Sequence, residues 1–307
     1  MSKILVIGGS YFTGRVFVMV ASAAGDELTL INRGRYSMSH YQNVKEFRCD
    51  RHDAGALAAL PLDEEYDAVV DFCAYTPDDA KTLFESLPCR FRQYIVLTTA
   101  DVYVRTGGVR DEDTPLLTKQ DTADQVDDYI YNKRMLEDAV RECAAAKDVR
   151  FTILRPAFIY GPYNYAPREN FYFKKIYQNE PLPLPANGGG QFQMVYVKDV
   201  ANAVRLCFGN EKAYDEAFNL AAPDVLDYPK FFGVLARITD REFQIQSVEV
   251  QQVIDQHIAV PFPLFPEESE LFDGSKAQRV LGLEYTDLDE NMGRTFRGLK
   301  NVYAPEG

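Results

Sequence analysis

The stretch Ile4-Leu5-Val6-Ile7-Gly8-Gly9-Ser10-Tyr11-Phe12-Thr13-Gly14-Arg15 sets a β-rich run directly before glycines, and those glycines before a helix candidate, Arg15 to Ala24. Gly8 permits a tight turn and Gly14 lets helix and strand pack closely, so that the free amides at the helix start face a pyrophosphate. An ordinary βα turn is the alternative reading of the same glycines. A small residue is usual where Tyr11 stands, so this chain sets a tyrosine ring beside the phosphates or the substrate.

Outward from this turn, short apolar runs alternate with amphipathic stretches. Strands are predicted at Lys3–Ile7, Glu27–Ile31, Val44–Arg48, Ala68–Phe72, Tyr94–Leu97 and Phe151–Leu154, with a helical stretch near Ala54–Leu60. That rhythm argues for α/β architecture, a Rossmann-type doubly wound parallel sheet that places ligands beyond the carboxyl ends of its strands. The second half reads differently. Pro162 to Pro185, rich in Tyr, Phe, Pro and Asn, reads as a loop-laden segment lining a cleft. A strand at Val195–Val197 and a helix at Val200–Phe208 follow, then helices at Pro229–Arg237 and Ser275–Leu281 flanking a strand at Glu242–Val248. The expected division is a dinucleotide-binding domain of residues 1–162, rejoined by 192–222. A smaller mixed substrate domain of 163–191 and 223–307 is interleaved with it.

Apolar residues are 46% and charged residues 26% of the 307, ordinary globular values that argue against disorder. Lys and Arg number 33 against 46 Asp and Glu, and a net charge of -13 sets nucleic-acid and anionic-membrane binding at a disadvantage. The five cysteines are scattered without a CxxC pair, which reads as buried thiols in a reducing compartment and not a disulfide framework. His40, His52 and His257 lie far apart, so no metal site is expected. No apolar run approaches membrane-span length and Met1-Ser2-Lys3 leaves no room for a signal peptide, so a soluble cytoplasmic protein is expected.

Cofactor choice in such a fold is written at the end of the second strand, where an acidic residue would take the adenosine ribose hydroxyls. Here Leu30-Ile31-Asn32-Arg33-Gly34-Arg35 offers a neutral Asn32 and two arginines able to clamp a 2′-phosphate, so NADP is expected over NAD, with solvated loop charges as the alternative. Tyr129-Ile130-Tyr131-Asn132-Lys133 then places a Tyr and a Lys four apart, on one face of a helix running to Val140. A free phenol titrates near about 10, and a neighbouring ammonium with a positive nicotinamide would favour its phenolate.

With Leu97-Thr98-Thr99-Ala100-Asp101-Val102-Tyr103 upstream, the chain resembles the extended and atypical short-chain dehydrogenase/reductases, the NAD(P)-dependent epimerase/dehydratase superfamily. Thr99, Tyr129 and Lys133 match that family's catalytic set, and Glu137 falls where a helix glutamate often follows. Arg155-Pro156-Ala157-Phe158-Ile159-Tyr160-Gly161-Pro162, Val197-Lys198-Asp199-Val200-Ala201 and Asp273-Gly274-Ser275-Lys276-Ala277 are similar to further landmarks, in the family's order. The resemblance implies that Tyr129 exchanges a proton with a substrate hydroxyl, Lys133 holds the nicotinamide ribose and depresses the tyrosine, and Thr99 orients the reacting oxygen. It implies that Gly8, Ser10, Tyr11, Phe12 and Gly14 take the pyrophosphate and Asp50 the adenine. The implied reaction is oxidation or reduction at a secondary alcohol or ketone, of a sugar or nucleotide-sugar, by an epimerase or a reductase. A homodimer built on helices around Asp79–Leu87 and Tyr129–Ala146 is expected as in relatives.

Departures from the family pattern accompany the matches. Nucleotide-sugar 4-epimerases carry an arginine where this chain has Phe192, and no arginine occurs between Arg241 and Arg279. The 4,6-dehydratases carry Asp-Glu after the threonine, where this chain has Ala100-Asp101. Arg168 is the best remaining cation near the cleft, with a surface role as its plainer reading. The rings of Tyr163, Tyr165, Phe171, Tyr172, Phe173 and Tyr177 read mostly as interdomain packing, and the acidic stretch Asp121 to Asp128 as a solvated loop and helix start. The Gly-Gly-x-x-Phe-x-Gly opening with Asn32-Arg33-Gly34 most resembles an atypical branch that includes the chloroplast stem-loop RNA-binding proteins. The rival expectation is therefore a cofactor fold recruited to bind RNA or a partner without catalysis.

Overall fold

A computed structural model describes residues 1–121, 127–239 and 241–303. Residues 122–126 of the acidic stretch, Asp240 and residues 304–307 lie outside the described residues. The elements run β1 (Lys3–Ile7), α1 (Phe12–Ala23), β2 (Glu27–Asn32), β3 (Val44–Arg48), α2 (Ala54–Ala58), β4 (Glu65–Asp71), α3 (Pro77–Ser86), β5 (Arg90–Leu97), α4 (Asp128–Lys147) and β6 (Arg150–Pro156). There follow β7 (Phe158–Tyr160), α5 (Glu169–Tyr177), β8 (Leu182–Pro185), β9 (Phe192–Tyr196), α6 (Val197–Leu206), β10 (Glu216–Leu220), β11 (Val225–Leu226), α7 (Tyr228–Ile238), β12 (Ile245–Val248), α8 (Val250–Asp255), α9 (Leu288–Gly298) and α10 (Lys300–Tyr303).

Seven strands form one parallel sheet in the order β10-β6-β5-β4-β1-β2-β3, the doubly wound arrangement with its reversal at β1/β4. Its strands read as unbroken apolar runs because successive residues enter opposite layers. Ile4, Val6, Val70, Ile95 and Leu154 pack with α1 and α6, while Leu5, Ile7, Val69, Val96 and Ile153 pack with α2, α3 and α4. The first layer continues without a break into α5, β8, β9, α7 and α9, so the smaller half shares a core with the sheet. That half holds β11-β9-β7 and the parallel pair β12-β8.

Two expectations are corrected. The segment 162–185 is not all loop, since it contains α5 and β8. Besides Asn170, its buried residues Glu169, Tyr172, Phe173, Ile176 and Tyr177 follow the i, i+3, i+4, i+7, i+8 spacing of a helix face, a period masked by the surrounding prolines and asparagines. The seventh strand, β10, was not expected; it becomes a strand by pairing with β6 at the sheet edge. Smaller differences lie at element ends. The helix after the glycine turn begins at Phe12 rather than Arg15, and the alternating stretch from Glu242 is a strand only at Ile245–Val248. Among the described residues, no helix is long and apolar enough to cross a membrane.

Candidate active site

The glycine turn joins β1 to α1 with little room to spare. Gly8 sits at φ +82° against Cys73, and a Cβ on Gly14 would lie 2.4 Å from the Gly8 carbonyl oxygen. Helix α1 starts after Tyr11 with no side-chain cap and no acidic residue in its first turn, leaving its first amides free for an anion. Phe12, at φ 35°, holds a backbone conformation that L side chains rarely adopt. A groove of about 510 Å³ opens at this helix end. Gly8, Ser10, Tyr11, Phe12, Gly14, Asn32, Arg33, Arg35 and Asp50 all line it.

At the far end of the groove Asn32 shapes the loop, accepting from the Gly34 amide at 2.7 Å and donating to Glu46 at 3.0 Å. Arg33 and Arg35 are exposed beside it. The His52 amide and ring hold the Asp50 carboxyl below the usual range. The wall contains a group that sequence reasoning missed. Arg51 is buried, with Nη1 2.7 Å from Asp71 and Nη2 donating to the Asp79 carbonyl at 2.8 Å. The Tyr94 hydroxyl donates to the other Asp71 oxygen at 2.8 Å. No local pattern announces this set, because its members come from four segments of the chain.

Aromatic rings edge the same groove. Tyr11 stacks on Tyr36 at 5.8 Å and on Tyr165 at 5.2 Å, and Tyr75 lines the groove with them. The aromatic cluster of the second half is thus divided. Tyr172, Phe173 and Tyr177 are core, whereas Tyr165 is exposed at the groove and Tyr163 is exposed under the Arg15 guanidinium.

Thr99, Tyr129 and Lys133 do not line the groove, but Tyr75, which does, connects Tyr129 and Lys133 to it. Lys133 is buried, its Nζ donating to the carbonyls of Ala74 at 2.7 Å and Leu97 at 2.8 Å, beneath the Tyr75 ring at 4.7 Å and the Tyr129 ring at 5.8 Å. Burial lowers its pKa to about 8, against the pull of Asp71, so it remains mostly charged at neutral pH. The Tyr129 phenol stands above its ordinary range, pushed up by desolvation and by Tyr75, Asp101 and Tyr165, with Arg168 opposing. The Tyr129 ring is nonetheless 45% exposed, and the Lys133 ammonium below it is directed into two carbonyls. Thr99 Oγ1 donates to Asp101 Oδ2 at 2.8 Å. Arg168 is half-buried over the Phe158 ring at 4.4 Å rather than free on the surface.

Behind this face, Glu137 takes two bonds from Arg155, at 2.9 and 2.6 Å, and one from Thr98 at 2.9 Å. Arg155 also donates to the Tyr103 hydroxyl at 2.7 Å, so a fully paired buried network locks α4 to the ends of β5 and β6. A second carboxyl beside the site also escaped sequence reasoning. Desolvation and the nearby Asp101 charge push the carboxyl of Glu270, from the carboxy-terminal half, up to about 8, with Arg110 and Arg105 opposing. Among the described residues, no group of three or more His, Cys, Asp or Glu side chains is placed to hold a metal ion.

Comparison with known proteins places this geometry in context. Residues 4–221 match the model of the NAD dependent epimerase/dehydratase family. A curated relative, chloroplast stem-loop binding protein of 41 kDa b from Arabidopsis thaliana, is 29% identical over 232 residues, covering 71% of this chain and 58% of its own length. Similar solved structures include a putative epimerase from Burkholderia cenocepacia, at TM-score 0.79 and 21% identity over 98% of both chains. UDP-glucose 4-epimerase from Thermotoga maritima superposes at TM-score 0.75 and 19% identity, over 98% of this chain and 99% of that one. UDP-glucuronic acid 4-epimerase from Bacillus cereus gives 0.76 and 16%, over 98% and 100%. At these identities the structures establish a shared fold.

Proposed function

The chain belongs to the NAD-dependent epimerase/dehydratase family, and we propose that it oxidises or reduces a secondary alcohol or ketone of a sugar-derived small molecule, with Thr99, Tyr129 and Lys133 as its reacting set. One observation carries this reading: the Lys133 ammonium, held by two backbone carbonyls, lies beneath both the Tyr129 ring and the ring of Tyr75, which lines the groove. The glycine turn fits a dinucleotide, since uncapped amides and a backbone too crowded for any side chain at Gly14 leave the helix end to an anion. Gly8, Ser10, Tyr11, Phe12 and Gly14 would hold the pyrophosphate, Asp50 the adenine, and Asn32, Arg33 and Arg35 an adenosine 2′-phosphate, which favours NADP. When bound, the nicotinamide supplies the hydride acceptor or donor.

The chain's own groups handle the proton. An ammonium has three donors and Lys133 has committed two, leaving one for a ribose hydroxyl. Tyr129, whose phenol stands above its ordinary range, returns a proton to a ketone oxygen; it accepts one only when positive charge nearby brings that phenol down. Thr99 directs its own proton to the Asp101 carboxylate and accepts from the Asp101 amide, which leaves one oxygen lone pair to accept from a substrate hydroxyl. Tyr129→Phe tests the assignment. Turnover should fall by about 10²–10⁴-fold with cofactor affinity unchanged, and a fully active variant would remove Tyr129 as the base. Cofactor retained through purification favours an epimerase, and ready exchange a reductase.

The Arabidopsis relative's name supports a second reading, RNA stem-loop binding. The net charge of -13 opposes it. A gel shift with a stem-loop RNA at moderate salt separates the two readings.

A further inference from the structure

A cavity of about 430 Å³, a volume in the range of small-molecule sites, lies along α5 and contains none of the reacting set. Asn170 and Lys174 stand one turn apart on that helix and line it, and Tyr303 of α10 contributes from the end of the described chain. Among the described residues, Tyr165 is the one that lines both this cavity and the dinucleotide groove.

Three features of the wall ask for a ligand. Asn170 is only 7% exposed, and its Nδ2 donates to the Asn164 carbonyl at 2.8 Å. That bond fixes the other terminal atom as the oxygen, and Oδ1 is buried without a partner among the described residues. A buried acceptor of this kind is costly until a donor reaches it. Lys175 is held by Glu180 at 2.9 Å, whereas Lys174 has no ion-pair partner among the described residues. Two lysines against one carboxylate give the lining a net positive charge, in a chain whose total is -13. The rings of Tyr165, Phe171 and Tyr303 supply flat apolar wall against which another ring can stack.

We propose that this cavity is an effector site for a small molecule that combines an aromatic ring, an N–H donor and an anionic group. The ring lies against Tyr165, Phe171 and Tyr303, the donor reaches Asn170 Oδ1, and the anion pairs with Lys174. A nucleoside monophosphate and an aromatic amino-carboxylate share that chemistry. Tyr165 gives the occupant its hold on the groove. Its ring stacks on Tyr11 at 5.2 Å and meets Phe12 edge-on at 5.8 Å, where those two residues open α1 at the glycine turn. An occupant that fixes Tyr165 changes the groove's affinity for dinucleotide, and the dinucleotide changes the occupant's affinity by the same factor. The coupling, though not the cavity's own binding, rests on the reading of the groove given above.

The test is calorimetric titration of the full chain, with and without saturating NADP⁺, using CMP, 4-aminobenzoate and inorganic phosphate as probes. CMP or 4-aminobenzoate should bind with NADP⁺ already in place. The same probe without its ring amino group should bind about tenfold more weakly, because Asn170 is then left unpaired. Lys174→Gln, a change at an exposed position, should weaken the probe about tenfold or more and leave NADP⁺ affinity in the probe's absence unaltered. Bound probe should change NADP⁺ affinity about fivefold or more, and Tyr165→Ala should remove that change. Binding of CMP alone would assign the site to nucleotides, and of 4-aminobenzoate alone to aromatic carboxylates. No binding of either, strict competition between probe and NADP⁺, phosphate bound as tightly as CMP, equal affinity in Lys174→Gln, or an NADP⁺ affinity indifferent to bound probe overturns the proposal. A chain that takes up the probe through Lys174 yet binds no NADP⁺ would instead remove the reading of the groove and leave the cavity's own site standing.

Discussion

Raising the pH from about 5 to about 8 should weaken the fold through one side chain, Glu169. It opens α5 and is completely buried, accepting from the Gly161 amide at 3.1 Å and from Asn164 at 3.0 Å on both oxygens. Burial raises its pKa from 4.5 to about 7 in spite of those donors. The folded state therefore holds a proton that the unfolded chain has already released. The stability this brings is complete below about pH 4.5 and is lost as the pH rises through about 7. The gap amounts to about 3 kcal/mol, at about 1.4 kcal/mol for each pH decade. Glu169→Gln keeps a carbonyl oxygen for the Gly161 and Asn164 donors and cannot titrate. Urea unfolding of both proteins, followed by circular dichroism and tyrosine fluorescence at pH 5, 6.5 and 8, reads the difference. The unaltered chain should lose about 3 kcal/mol more across that interval than Glu169→Gln. Parallel pH dependence in the two proteins would refute the argument, since Glu169 would then ionise as an exposed carboxyl does. The segment it pins carries Tyr165, whose ring stacks on Tyr11 at the groove, so the same titration should loosen the groove edge.

Three further outcomes test other parts of the structure. Gly14→Ala places a Cβ 2.4 Å from the Gly8 carbonyl oxygen, so thermal unfolding should show a loss of about 1–3 kcal/mol and titration a loss of dinucleotide affinity; normal binding would mean the turn is looser than described. Arg155→Ala leaves the buried Glu137 carboxylate without its bidentate partner and should cost about 3–5 kcal/mol in denaturant unfolding. A change below about 1 kcal/mol would show that Arg141, 3.3 Å from Glu137, suffices alone. Replacing Arg33 and Arg35 together by alanine should lower NADP affinity about ten- to hundredfold while barely altering that for NAD, measured by calorimetric titration. Equal losses for both cofactors would place these arginines away from the 2′-phosphate.

The runs at Ile4–Ile7, Ala68–Val70, Ile95–Leu97 and Ile153–Leu154 were readable as strands of a two-sided sheet because burial on both faces leaves an unbroken apolar signature in the chain itself. The turn at Gly8 was equally readable, since its backbone geometry admits no side chain, and so was the four-residue spacing of Tyr129 and Lys133, which one helical turn converts into a shared face. Local order carries these features, and local order is what a sequence displays. Tertiary contact alone made β10 a strand, buried Arg51 between Asp71 and Asp79, and set the ammonium of Lys133 against two carbonyls beneath the Tyr129 ring. It also brought the charges of Tyr75, Asp101, Tyr165 and Arg168 to bear on Tyr129. Charge effects fall off with distance in space and take no account of separation along the chain. The protonation states at this site therefore depend on how the second half of the chain folds back over the sheet, which no periodicity encodes.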